Sequence, residues 1–355
     1  MEASELVLIM PRCQEREKTQ RMSRVLAYAL QDARVSRKIE TARELTDLKG
    51  KKLLFAVMLG ESGINLEYCS MLKRIRLEKD LFEGCQGAVI VDGLSELFTK
   101  SVSRSLVLAA NRAGCAFIGR PLVEGTRSLA NFHVLAKQGD TDPLQAYFHQ
   151  ARELVGRLLE QQPPFYEDPR LLVLHASSRK TSNTMALWDL VKKELSGWRI
   201  REIPLRNGAL VDCAGCSYTT CMYFGQQGGC FYGGVMVEEV YPAVMECDAL
   251  LLLCPNYNDA LSANLTAFIN RLTALYRQRR FYDKRLYGIV VSGYSGSDLI
   301  AEQLIAALCM NKSFYLPPGF CMMETANDPG SILKLPGIQE RAGAFSEALK
   351  RMKKG

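Results

Sequence analysis

The sequence predicts an α/β protein of two tandem domains, each a doubly wound parallel sheet with helices on both faces. Apolar strand patterns alternate with helical patterns along both halves of the chain. Several strands are apolar throughout, such as DALLLLCPN at 248–256, which is typical of parallel strands buried on both faces. A proline-rich polar segment, QPPFYEDPR at 162–170, separates the halves, and 355 residues suffice for two cores.

The first predicted domain, residues 1–163, contains four strand patterns with helical patterns between them. The strands are expected at 5–11, 51–62, 86–93 and 115–121. The helices are expected at 18–34, from the second strand to residue 82, at 97–114 and at 143–161.

The second predicted domain, residues 168–355, follows the same plan but carries a long irregular insert at 207–234. Strands are expected at 171–176, 198–205, 248–256, 285–293 and 314–324. Helices are expected at 184–196, 237–247, 261–276, 297–310 and 342–354. Residues 86–113 and 248–275 share the order of strand, polar turn and helix, which suggests an ancient duplication.

The composition excludes several classes of function. The net charge of +7 is spread over both halves, so it gives no support for nucleic-acid binding, which needs a concentrated basic face. No apolar run approaches the ~20 residues that span a bilayer. The N-terminus has acidic residues where a signal peptide would have basic ones. We therefore expect a cytoplasmic protein that binds neither nucleic acid nor membranes.

The most informative stretch for function is LLVLHASSRKTSNT at 171–184. An apolar strand runs into a turn crowded with hydroxyls, an amide and two positive charges, and a helix follows. Free backbone N–H groups and the positive end of the helix dipole make such a turn a phosphate site. The candidate phosphate-binding residues are Ser177, Ser178, Arg179, Thr181, Ser182, Asn183 and Thr184.

The sequence favours one phosphate over a longer phosphate chain at this turn. It lacks G-x-x-x-x-G-K-[ST] and G-x-G-x-x-G, the turns that bind nucleoside triphosphates and dinucleotides. A single phosphate held by hydroxyls predicts a mononucleotide such as FMN. The alternative is an ordinary capped helix, since Ser, Thr and Asn are common N-cap residues.

The first domain does not repeat this turn. Its first strand ends in MPRCQEREKTQ, where a phosphate would meet Glu15 and Glu17. We therefore predict that the N-terminal domain is a degenerate relative of the second and binds no phosphate.

The second half resembles the NADPH-dependent FMN reductase and iron–sulfur flavoprotein families over roughly residues 168–325. The stretch from Ala176 to Thr184 is similar to the family loop G-S-x-R-x-x-S-N-T, with alanine in place of the first glycine. CPNYN at 254–258, followed by LSANLTAFINR, is similar to the second loop. A cysteine-rich run occupies the place of the family's cysteine-rich insert. The resemblance implies a flavodoxin-like fold for the domain, and hence two tandem flavodoxin-like domains, the first degenerate.

By this resemblance, the first loop binds the FMN phosphate and a second loop lies beside the isoalloxazine ring. That second loop contains Pro255, Asn256, Tyr257 and Asn258. A further turn, with Ser292, Gly293 and Tyr294, follows the next strand and should reach the same edge of the sheet. Either tyrosine could stack on a flat ring, although each alone could equally pack at the rim. No catalytic acid or base is predicted, because the flavin would perform the chemistry.

Four cysteines, Cys213, Cys216, Cys221 and Cys230, have two, four and eight residues between successive members. This density favours a functional role over core packing. Three roles compete: an iron–sulfur cluster of the [4Fe–4S] type, a structural zinc site, and a redox dithiol at Cys213 and Cys216. A cysteine-rich loop that binds nothing is the fourth interpretation. The iron–sulfur flavoproteins have a tighter spacing, with two residues between each of the first three cysteines.

The sequence thus predicts an FMN-dependent oxidoreductase that takes electrons from NAD(P)H or another redox partner and passes them to an unknown acceptor. One alternative is a flavodoxin-type electron carrier, which the basic composition disfavours. Another is a non-enzymatic sensor or scaffold. Assembly into a homo-oligomer is a further expectation.

Overall fold

The computed structural model describes residues 5–13, 16–177, 181–208 and 210–353, without the side chains of residues 16–19. The chain forms two compact units, Met1–Gln162 and Pro163–Gly355. Each unit has a five-stranded sheet in which every strand pair is parallel, with helices between the strands. The predicted class, two doubly wound α/β domains, is confirmed.

The N-terminal unit has the sheet order β2-β1-β3-β4-β5. Its strands are β1 (Glu5–Ile9), β2 (Arg34–Ile39), β3 (Lys52–Leu59), β4 (Gln86–Gly93) and β5 (Ala116–Gly125). Its helices are α1 (Arg16–Ala29), α2 (Leu66–Leu77), α3 (Thr99–Arg112), α4 (His133–Gln138) and α5 (Pro143–Glu160). One face of the sheet packs on α1 and α5, whose apolar side chains share a buried core with those of β1, β3 and β4.

Strand β2 is absent from the sequence-based prediction, which extended the preceding helix to residue 34. The segment RVSRKI has no apolar face, and only Ile39 of this strand is buried. It becomes a strand because it lies at the sheet edge, where the backbone of β1 supplies its hydrogen-bond partners. Its charged side chains discourage pairing of this edge with another chain.

The C-terminal unit has the sheet order β10-β9-β8-β6-β7. Its strands are β6 (Arg170–His175), β7 (Arg199–Pro204), β8 (Ala249–Pro255), β9 (Arg285–Ser292) and β10 (Cys321–Thr325). Its helices are α6 (Asn183–Lys193), α7 (Tyr218–Gln226), α8 (Tyr241–Glu246), α9 (Ala263–Gln278), α10 (Ser297–Leu304) and α11 (Ile338–Lys350). The central strands β8 and β9 are buried along their whole length, as their apolar sequences predict.

The two sheets have the same strand order when each is numbered within its own unit, namely 2-1-3-4-5. This shared topology supports the duplication but corrects its alignment. Strand β8 corresponds to β3, and β4 corresponds to β9, so residues 86–113 and 248–275 are not equivalent. The error arose because β2 was missed, which shifted the strand count of the first half by one.

None of the helices in the described ranges is long and apolar enough to cross a bilayer.

Candidate flavin site

Three loops of the C-terminal unit lie at one edge of its sheet. They follow β6, β8 and β9, which are neighbours in the sheet and run parallel. The loops begin after His175, Pro255 and Ser292, at the carboxyl ends of these strands. Open α/β sheets bind their ligands at this edge, so the loops have the placement expected of a cofactor site.

The first loop leads into the N-terminus of α6, a helix of eleven residues. Ser182 is the N-cap, and its Oγ accepts a hydrogen bond from the backbone N–H of Met185 at 3.2 Å. Thr181 is exposed at the turn. Two predicted phosphate ligands, Ser178 and Arg179, lie outside the described residues, as does Lys180. The helix dipole and free N–H groups at this end favour an anion.

Two other predicted residues of this loop are buried against protein. The Asn183 side-chain amide donates to the carbonyl oxygens of Ala326 at 3.1 Å and Asp328 at 2.8 Å. Thr184 is only 1% exposed. These contacts tie the start of α6 to the segment that follows β10, which fixes the position of the loop.

Asn256 joins the second loop to the third. Its backbone N–H donates to the Val291 carbonyl at 2.9 Å. Its side-chain amide lies 3.1 Å from the Ser292 hydroxyl oxygen and 3.0 Å from the Ser295 carbonyl oxygen. The Ser292 hydroxyl is buried and also contacts the Ser297 hydroxyl at 2.7 Å. The buried Ser292 hydroxyl therefore links the second loop, through Asn256, to Ser297 at the start of α10.

The second and third loops approach each other through residues with unusual backbone angles. Asn258 and Asp259 have positive φ values of 55° and 57°, and Gly296 has a φ of 84°. A Cβ at Gly296 would lie 2.3 Å from Asp259 Oδ1, so only glycine permits this close packing. A Cβ at Gly293 would likewise come within 2.9 Å of Asn327 Oδ1.

The two predicted stacking residues project from these loops into solvent. Tyr257 is 59% exposed and Tyr294 is 82% exposed. Exposed aromatic rings on adjacent loops offer a surface for a flat ring system. Pro255, by contrast, is buried at the end of β8.

The edge also has buried oxygen atoms that find no hydrogen-bond partner within the described protein. They are Ser177 Oγ, Asn256 Oδ1 and Ser262 Oγ. Buried polar atoms are nearly always hydrogen-bonded, because desolvating one without a partner costs about 1–3 kcal/mol. Three such atoms on the first two loops fit a polar ligand. Ser262 was missed by sequence reasoning, although a serine just before α9 is the available signal.

The N-terminal unit presents a different arrangement at the carboxyl end of β4, the counterpart of β9. Asp92 is fully buried there and pairs with Arg21, whose Nε and Nη2 donate to Asp92 Oδ2 and Oδ1 at 2.8 and 2.7 Å. Arg21 Nη2 also donates to the Thr126 carbonyl at 3.0 Å. The unit's own ion pair thus occupies this position. Of the acidic residues predicted to repel phosphate, Glu15 and the Glu17 side chain lie outside the described residues.

The four cysteines of the insert line one cavity of about 150 Å³ over α9, with aromatic side chains around them. None of the predicted flavin-binding residues lines this cavity. In the described ranges, no three His, Cys, Asp or Glu side chains are arranged to hold a metal ion. The thiols as placed therefore do not form the ligand set that an iron–sulfur cluster or a zinc ion requires.

Comparison with known proteins matches part of the sequence to one family. Residues 169–328 match the NADPH-dependent FMN reductase family. No curated protein matches the sequence. Among solved structures, the NAD(P)H:quinone oxidoreductase from Methanothermobacter marburgensis is 17% identical, and the match covers 52% of this chain and 98% of that one, with a TM-score of 0.41. An FMN-dependent NADH-azoreductase from Bacillus anthracis, in complex with FMN, is 12% identical, with coverage of 51% and 99% and a TM-score of 0.35.

Proposed function

We propose that the C-terminal unit, which is of the NADPH-dependent FMN reductase type, binds FMN at its three loops and acts as an oxidoreductase. The proposal takes NAD(P)H as the electron donor and a small oxidised molecule as the acceptor. The observation that carries it is the set of three unpartnered buried oxygens at the edge where the loops meet. A polar cofactor at this edge would supply the hydrogen bonds that the protein lacks.

Each loop has a distinct task in this proposal. The N-terminus of α6, with Ser177 and Thr181, receives the phosphate, and Ser182 and Asn183 hold that turn in place. Asn256 orients the second loop and offers its Oδ1 to the ring system, while Tyr257 and Tyr294 cover the ring. When bound, FMN supplies the electron transfer itself, and the protein supplies position and shields the reaction.

The alternatives differ from this function in one measurable property each. A flavodoxin-type carrier would bind FMN but would not oxidise NAD(P)H. A sensor or scaffold would bind no FMN. The buried unpartnered oxygens and the family match favour the enzyme over the scaffold.

The experiment is a visible spectrum of the purified full-length protein, followed by NADH and NADPH oxidation assays with a quinone, an azo dye and free flavin as acceptors. We expect flavin absorption that NAD(P)H bleaches, and multiple turnovers with at least one acceptor. Flavin that dithionite reduces but NAD(P)H does not would favour the carrier. A colourless protein that FMN cannot reconstitute would contradict every flavin-based function.

Two finer predictions need measurements of their own. The [4Fe–4S] cluster requires iron and sulfide in anaerobically purified protein, and the thiol arrangement described above gives it no support. Homo-oligomerisation stays a prediction, which size-exclusion chromatography with light scattering tests.

A further inference from the structure

The cysteine-lined cavity of the insert is a second chemical site, separate from the candidate flavin site. All four insert cysteines line it: Cys213 is exposed and the other three are half-buried. Desolvation of the Tyr232 hydroxyl, its hydrogen bond with the Cys216 thiol and the charges of the nearby cysteines raise the pKa of Tyr232.

Hydrogen bonds between the insert and α9 hold the cavity in a defined shape. Arg271, which is 2% exposed, donates to the Val211 carbonyl at 3.3 Å and to the Gly233 carbonyl at 2.8 Å. Asn270 donates to Asp212 Oδ1 at 3.1 Å. These bonds hold both ends of the cysteine-bearing segment against one helix, so the thiols keep a defined arrangement.

The charged residues that line the cavity are all cationic. Arg271 and Arg277 are among the lining residues, which include no carboxylate. The Nε atoms of both guanidinium groups are buried and have no hydrogen-bond partner within the described protein. The Arg277 guanidinium lies over the Tyr218 ring, 4.5 Å from its centroid. The positive charge of the two guanidinium groups therefore favours an anionic molecule over a cationic one in the cavity.

We propose that this cavity is a thiol–disulfide exchange site, in which Cys213 and Cys216 react with a small disulfide that carries carboxylate groups. Two cysteine thiols are enough to form a protein disulfide by exchange, whereas a metal ion requires three or four converging ligands, which the described residues lack. Two residues separate Cys213 from Cys216, and one of them, Gly215, has a φ of 69°. Such a left-handed turn is one that glycine adopts without strain, and it bends the chain between the two cysteines.

The exchange balances without any further reactant. The Cys213 thiolate attacks one sulfur of the small disulfide, forms a mixed disulfide and releases one small thiolate. The Cys216 thiolate then attacks Cys213 Sγ, which forms the Cys213–Cys216 disulfide and releases the second small thiolate. The two protein thiols lose two electrons, and the small disulfide gains two electrons; the released thiolates take up the protons that the cysteines gave up.

Most cysteines outside the insert are poor competitors for this reaction. Burial raises the pKa of Cys85 to about 11 and that of Cys247 to about 12, so few thiolates form there near neutral pH. Burial also raises the pKa values of Cys115, Cys254 and Cys309. Cys69, which is exposed on α2, serves as an internal reference for a thiol that reagents can reach.

The test treats the full-length protein with glutathione disulfide, alkylates the remaining thiols and maps the peptides by mass spectrometry. We expect two insert thiols to be lost as a Cys213–Cys216 disulfide that dithiothreitol reverses. Cys213→Ser and Cys216→Ser should each abolish this disulfide, and Cys69→Ser should leave it unchanged. Four insert thiols that stay free, or that bound iron protects, while Cys69 becomes glutathionylated would overturn the proposal.

A second arm tests the charge recognition. Glutathione disulfide should react faster than cystamine, a cationic disulfide, and Arg277→Gln should slow the glutathione reaction about fivefold, as expected for one partly exposed ion pair. Arg279→Gln is the matched control, because Arg279 lies on the C-terminal side of α9, pairs with Asp283 and does not line the cavity. Equal rates for the two disulfides, or equal effects of the two substitutions, would contradict recognition by the cavity.

Discussion

At the scale of single residues, the candidate site is marked by side chains whose polar atoms the protein leaves unpaired. Sequence reasoning selected Ser177 and Asn256 from their motifs, but it could not separate ligand-facing atoms from those that hold the loops. That distinction depends on neighbours distant in sequence, such as the Asp328 carbonyl that Asn183 contacts and the Ser297 hydroxyl beside Ser292. Ser262 escaped notice because its burial is visible only in three dimensions.

The first prediction concerns Ser177. Ser177→Ala removes a buried hydroxyl that has no partner in the protein, so it should weaken FMN binding about fivefold to tenfold without lowering the stability of the protein without FMN. Flavin fluorescence quenching measures the affinity. Ser196→Ala is the control, since Ser196 is exposed in the turn after α6. Equal affinities of the two variants would show that the Ser177 hydroxyl does not contact the cofactor.

The second prediction compares two glycines with similar backbone angles and different surroundings. Gly296→Ala and Gly319→Ala both place a side chain at positive φ, 84° and 60°, which costs roughly 1–2 kcal/mol. Only the Gly296 Cβ meets other atoms, with Asp259 Oδ1 at 2.3 Å, whereas Gly319 has open space. Gly296→Ala should therefore also disturb the second loop and weaken FMN binding about tenfold, because such crowding typically costs about 1–3 kcal/mol.

Titration of both variants with FMN, alongside chemical unfolding, checks this comparison. Gly319→Ala should keep the wild-type affinity despite its modest loss of stability. If both variants bind FMN as tightly as the wild type, the close packing of the two loops does not shape the site.

At the scale of elements, the sequence predicted the buried strands best. The apolar runs of β8 and β9 strongly favour buried strands. The observed ends of both strands fall within one residue of the expected ends. Strand β2 and helix α7 were missed for the same kind of reason, because each depends on contacts with another element. The former is polar and depends on pairing with β1. The latter has threonine and aromatic residues of low helix propensity and packs closely on α9, where a Cβ at Gly225 would lie 3.0 Å from the Ala274 carbonyl oxygen.

The third prediction concerns the ion pair that ties α1 to β4 and β5. Arg21→Ala leaves Asp92 fully buried without its cation, so it should destabilise the N-terminal unit by about 3–5 kcal/mol. Arg34→Ala is the control, because Arg34 is 73% exposed and lies 3.9 Å from Glu5. A double substitution, Arg21→Met with Asp92→Leu, should restore much of the stability, since apolar residues can replace a buried pair.

The two tryptophans make this prediction specific to one unit. Both Trp188 and Trp198 belong to the C-terminal unit, so their fluorescence reports its unfolding alone. Arg21→Ala should lower the urea concentration at which circular dichroism reports unfolding. The urea concentration at which tryptophan fluorescence changes should stay nearly the same. A variant as stable as the wild type by both probes would show that the pair contributes little.

At the scale of the whole molecule, the chain repeats one topology and differs in what occupies the edge of each sheet. The sequence predicted the repeat from alternating patterns, but the missed edge strand misaligned the two copies. The structure restores the alignment, with β3 opposite β8 and β4 opposite β9. In the C-terminal unit, three buried oxygens at this edge have no hydrogen-bond partner within the described residues. At the edge of the N-terminal sheet, the Arg21–Asp92 ion pair is present instead. The proposed cofactor site therefore belongs to the C-terminal unit.

The most direct test of this account is the number of FMN molecules that the full-length chain binds. Calorimetric titration of the protein freed of flavin should give one FMN per chain, with the affinity weakened by Ser177→Ala and unaffected by Arg34→Ala. Two FMN molecules per chain, or one that Arg21→Ala rather than Ser177→Ala weakens, would contradict the assignment of the cofactor to the C-terminal unit.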